Sequence, residues 1–170
     1  MQVPLLSTTG DRGAVGERLG GFVYGTVLVL SVVVAGAKAF PHSPGHVAAL
    51  VAVTTFVFWI AHVYARGITF SIAHNDHLSF AELRGIAGRE AAILGAGVPP
   101  EAALVLGALG LFSEKTAVWV AMGLGMAVLG TTGIVFARVE GLGTLKMLFA
   151  VLANLALGVV LILLKVLVAH

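Results

Sequence analysis

Five apolar runs, each long enough to cross a bilayer as a helix, constrain this chain more than any other feature. They occupy 20–37, 47–65, 91–112, 116–137 and 147–164. A bilayer core of about 30 Å needs roughly 20 apolar residues in helical form. Apart from His62 and Glu101, the runs contain no Asp, Glu, His, Lys or Arg. They are too long for strands and show no two-residue alternation, so helices are expected. The ten-residue alternating segments of a membrane β-barrel are absent too.

Composition agrees. Hydrophobic residues make up 59% of the 170 and charged residues 11%, against roughly 25% charged in soluble domains. A soluble core could not hide that much apolar surface, so the expected solvent is lipid. The formal charge of +2 is spread over ten Lys and Arg; it forms no basic patch for nucleic acid. There are no cysteines, which removes disulfides and thiolate sites. The first twenty residues are polar and Gly-rich and lack a signal-peptide pattern.

The expected fold is all-α, a polytopic transmembrane helix bundle. With flanking residues included, the five spans are about 20–39, 47–67, 91–112, 116–137 and 144–166. A polar segment, 1–19, precedes them, and a helical cytoplasmic excursion, 68–90, separates the second from the third. Lys and Arg near span ends set orientation. Arg12, Arg18, Arg66, Arg84, Arg89, Arg138 and Lys146 fall on one side, and Lys38, Lys115 and Lys165 on the other. Seven against three places the N-terminus in the cytoplasm. The expected location is the inner membrane of a prokaryotic cell.

Small residues recur at four-residue spacing, as Gly21 and Gly25 in the first span and Ala150, Asn154 and Gly158 in the fifth. Such faces let helix backbones approach closely. Packing within the chain and a homodimer seam both fit them.

In the second span, Thr55, Trp59, His62 and Arg66 share a helix face. Trp59, Tyr64 and Arg66 suit a membrane exit, whereas His62 facing the bundle would suit a proton or a metal. Ser79 and Glu82 form a capping box that starts a new helix. His74 and His77, with Asp76, Glu82 and Glu90 nearby, make a set of imidazole and carboxylate groups for a divalent metal ion. The same residues also suit a solvated turn.

Glu101 is the sharpest signal. It follows Pro99 and Pro100 near the middle of the third span. Two prolines are expected to kink or break that helix, leaving Glu101 in the first turn of the second half, where the helix dipole favours a carboxylate. Ionisable groups at that depth are costly and mark ion pathways. The expected pathway is Glu101, His62, Tyr64 and Thr55. No nucleophilic triad, phosphate loop or HExxH pattern occurs, so an enzyme is not expected.

Three stretches, FVYGTVLVLSVVVAG in the first span, AHVYARG at the end of the second and LGAGVPPEAAL in the third, resemble the vacuolar iron transporter family over about the first two thirds of the chain. The resemblance implies five spans, a cytoplasmic helical excursion and movement of a divalent metal ion. The family's first-span acidic residue has no counterpart at Tyr24–Val27, and its second-span methionine none here; the excursion offers Glu82 and Glu90 alone. Transport of a small cation is the leading expectation. A non-transporting scaffold or assembly protein, which needs no ionisable pathway, is the alternative.

Overall fold

The computed structural model describes residues 6–74 and 78–168, and side chains for 12–73 and 78–163. Six helices account for nearly all of the described chain: α1 (Leu6–Ala39), α2 (Pro44–His74), α3 (Phe80–Glu90), α4 (Ala92–Ala108), α5 (Glu114–Val139) and α6 (Thr144–Val168). Four of them, α1, α2, α5 and α6, are long and apolar enough to cross a membrane; the number is five if α3 and α4, bent by 42°, count as one span. Their outer faces carry large apolar residues such as Val53, Phe56, Val57, Leu148, Phe149 and Leu152. Surface of that kind aggregates in water and is stable against lipid. The architecture is compatible with a multi-pass integral membrane protein.

The ends of the helices establish how the chain winds. The α1–α2 turn and the start of α5 lie together, because His42 Nδ1 is 3.0 Å from Glu114 Oε2. A Cβ on Gly107, near the end of α4, would collide with Ala117 and lie 3.6 Å from Pro44. Thus α4 ends where α1 ends and α2 begins. Its start lies at the opposite end, where a Cβ on Gly21 would sit 3.0 Å from Ala92. Although only 17 residues long, or about 25 Å by helical rise, α4 runs from one end of the bundle to the other. The cations divide accordingly. Arg66 and Arg89 line a hollow beside Glu17 of α1, while Lys38 and Lys115 belong to the His42–Glu114 end.

Small residues make this packing possible. A Cβ on Gly25 would lie 2.7 Å from Ile93 O and 2.9 Å from Ile93 Cα, so α1 and α4 touch backbone to backbone. In α6, Ala150 and Asn154 pack at Gly133 of α5, and Gly158 sits against Met126. Both small-residue faces are therefore used inside the chain, where they exchange dispersion contacts that larger side chains would block. Around them, Val29, Leu30, Val33, Val47, Val51 and Leu104 form the buried core.

One feature differs from expectation, and the structure fills in others that the sequence left open. The polar N-terminal segment is helical from Leu6 and simply extends α1. The third span is not broken at its prolines: α4 continues through Pro99 and Pro100. Pro100 is fully buried, and neighbouring helices stabilise a proline-containing span. The break falls instead at Ala91, a single residue between α3 and α4. Residues 66–90 contain two helices, since α2 runs on to His74 before α3 begins.

The start of α3 follows the capping-box chemistry. Ser79 Oγ accepts a hydrogen bond from Glu82 N at 3.3 Å, and Glu82 Oε2 accepts one from Ser79 N at 2.8 Å. Trp59 Nε1 of α2 donates to Ala87 O at 3.2 Å and holds the other end of α3. Ser79→Ala is expected to cost about 1 kcal/mol of local helix stability. Hydrogen exchange should then quicken in the first turn of α3 and stay unchanged in α4.

Candidate functional site

Hydroxyl side chains inside apolar helices usually bond to a carbonyl one turn back. Thr26 does so to Phe22 O, Ser31 to Val27 O, Thr69 to Ala65 O and Thr132 to Val128 O, at 2.7 to 3.0 Å. Thr55 does not. Its Oγ1 is buried and has no hydrogen-bond partner. Glu101 Oε2 is in the same condition. Among the described residues these are the two buried side-chain polar atoms left unpaired, and they line the same cleft.

That cleft, about 120 Å³, lies between α2 and α4. Val51, Ala52 and Thr55 form one wall, and Leu94, Gly97, Val98 and Glu101 the other. Gly97 makes room for it: a Cβ there would lie 3.2 Å from Val29 and 3.8 Å from Thr55 Cγ2. The cleft opens sideways, because Val98 is 63% exposed and Ala52 is exposed at its rim. Glu101 lies seven residues from the end of α4 and nine from its start, hence about 10–14 Å from either end by helical rise. It is well inside a continuous helix, so the helix-terminus dipole that was expected to favour its carboxylate does not act on it. Pro99 and Pro100 add polarity nearby. Lacking N–H groups, they cannot donate to the carbonyls of Gly95 and Ala96, the acceptors one turn back.

Of the expected pathway, the structure brings together Glu101 and Thr55. His62 lies elsewhere. Thr55 is level with Gly97, which places His62 and Glu101 about 16 Å apart along the axis. The His62 ring packs on Tyr24 of α1, with centroids 4.8 Å apart. Tyr24 had no periodicity or charge signal to mark it as that partner. Tyr64 is 68% exposed and lines a separate apolar groove with Phe80 and Leu83 of α3. An aromatic near a helix end carries no information about which way it faces, so this orientation was not legible in the sequence.

The cytoplasmic metal set is not assembled among the described residues, where no group of three or more His, Cys, Asp or Glu could hold an ion. Glu82 is engaged in the capping box. Glu90 Oε1 is 3.1 Å from Arg66 Nε, and its side chain is only 12% exposed. These two carboxylates stand eight residues apart on α3, about 12 Å along its axis, too far to share one ion. Asp76 and His77, and the side chain of His74, lie outside the described residues.

The Arg66–Glu90 pair has a structural consequence. It ties the second half of α2 to the last residue of α3, beside Glu17 and Arg89 in a hollow of about 230 Å³. Here Glu90 is paired with a cation, and Glu17 shares the hollow with Arg66 and Arg89. The cleft at Glu101 has no cation among the residues that line it. Comparison with known proteins gives no match, whether to a family model, to a curated sequence or to a solved structure.

Proposed function

We propose that this chain is a five-span integral membrane protein that moves a small cation across a prokaryotic inner membrane, with its N-terminus in the cytoplasm. The third span in this reading is α4, joined at Ala91 to an α3 that is bent from it by 42° and packs on α2. Orientation rests on the basic end of the bundle, which carries Arg66 and Arg89. The five-span outline and the helical excursion are also those implied by the resemblance to vacuolar iron transporters.

One observation carries the reading: the two unpaired buried polar atoms, Thr55 Oγ1 and Glu101 Oε2, face one cleft at mid-depth. Native structures leave few such atoms unpaired, and each calls for a cause. A carboxylate in that position needs a neutralising partner. No side chain supplies one there, so a cation that comes and goes is the natural partner. The sideways opening of the cleft favours the second reading, a scaffold in which a cationic or hydrogen-bonding helix of another protein covers Glu101.

The test is a flux assay on purified protein in liposomes loaded with a pH-sensitive dye and, separately, a divalent-metal dye. Protein-dependent flux of either kind supports transport. Folded, inserted protein that moves neither ion sinks it, and the scaffold reading takes its place.

A further inference from the structure

We propose that the Glu101 carboxyl binds a proton, not a metal ion, and that Thr55 Oγ1 is the hydrogen-bond partner of the protonated form, within reach of the lipid phase. The inference rests on the reading of Glu101 as the cation contact, and it names the cation.

The donor set decides against metals. A calcium ion takes six to eight oxygen ligands and magnesium a near-ideal octahedron; transition metals prefer imidazoles, thiolates or several carboxylates. This cleft offers one carboxylate, one hydroxyl and aliphatic walls. The carbonyls of Gly95 and Ala96 would add at most two neutral oxygens. No second titratable or charged side chain lines the cleft from either α2 or α4. One negative charge and so few ligands cannot replace the hydration shell of a divalent ion.

A proton needs much less. Ionised, the carboxyl only accepts hydrogen bonds; protonated, it gains one O–H donor, and a threonine hydroxyl can both donate and accept. With the proton bound, the acid O–H can donate to Thr55 Oγ1, directly or through a water, for which a cleft of about 120 Å³ has room, and the two atoms are satisfied with no charge left in the apolar cleft. The exposed rim at Ala52 and Val98 opens this acid to the apolar phase around the bundle.

An apolar carbodiimide, dicyclohexylcarbodiimide, tests all of this without any flux measurement. It partitions into lipid and reacts with protonated carboxyls. The acid adds across one C=N bond and the acyl group moves to nitrogen, so the adduct is the sum of both molecules. The full chain in lipid vesicles would be treated across a pH series and read by intact mass and peptide mapping. One adduct, at Glu101, is expected. Its rate should fall about tenfold per pH unit once the carboxyl is mostly ionised. Excess manganese, zinc or sodium should give no protection. Thr55→Val should lower labelling several-fold at neutral pH, and Thr55→Ser should restore it. Glu101→Gln is the blank, with circular dichroism and gel filtration verifying its fold. Protection by a metal or by sodium, a pH-independent rate, or labelling elsewhere with Glu101 untouched would overturn the proposal. Proton-site labelling in a protein that shows no flux would leave this inference standing and remove transport alone.

Discussion

Glu101→Gln is expected to reduce cation flux at least tenfold while leaving the protein folded. Glutamine matches glutamate in size and keeps hydrogen-bonding groups of its own. What it loses is the ability to carry charge or take up a proton. The substitution also removes a buried carboxylate that no side chain neutralises, and an uncompensated charge at this depth is costly. The melting temperature in detergent should therefore be no lower than that of wild type. Reduced flux together with retained stability separates a functional role from a structural one. Full flux in the Gln variant would remove Glu101 from the pathway. A large drop in melting temperature would instead assign it a structural partner.

Gly25 carries the second large effect. A Cβ there meets Ile93 O at 2.7 Å and Ile93 Cα at 2.9 Å, both backbone atoms. Neither can rotate away, so α1 and α4 must separate. Gly25→Ala is expected to cost about 1–3 kcal/mol, the usual range for overpacking, and Gly25→Leu to prevent recovery of monodisperse protein. Two comparisons fix the interpretation. At Gly125 the nearest atoms belong to the Leu30 side chain, the closest at 2.6 Å, and a side chain can shift, so Gly125→Ala should cost less. At Gly123 nothing lies within 4 Å. There alanine should stabilise α5 by up to about 1 kcal/mol through helix propensity. Thermal melts of all three in one detergent should rank them in that order of damage. A Gly25→Ala protein that melts like wild type would contradict the close α1–α4 contact.

Much of the architecture was legible because lipid imposes a length, and length is visible in a sequence. The apolar runs fall on α1, α2, α4, α5 and α6, and the Ser79–Glu82 box marks the start of α3 as its residues dictate. The meeting of Glu101 and Thr55 in one cleft was half legible. Each was marked by its own depth and spacing, but their shared cleft depends on how α2 lies against α4. The prolines misled. Local propensity predicts a break at Pro99–Pro100, yet packing around the buried Pro100 keeps α4 continuous. The actual break at Ala91 carries no Gly or Pro and has no local signature. Packing on Tyr24 and orientation toward the groove separated His62 and Tyr64 from the site, and neither is encoded in periodicity.

The two ends of the bundle are tied in different ways. At one end, the α1–α2 turn is short, His46 stacks on Phe40 with ring centroids 5.3 Å apart, and His42 clasps Glu114. At the other end, α2 and α4 are connected through α3, fixed by one indole hydrogen bond, one ion pair and a single-residue joint. Because α3 is bent by 42° from α4 and bonded to α2, a tilt of α2 would be passed through Ala91 to α4, and with it to the carboxyl at its middle.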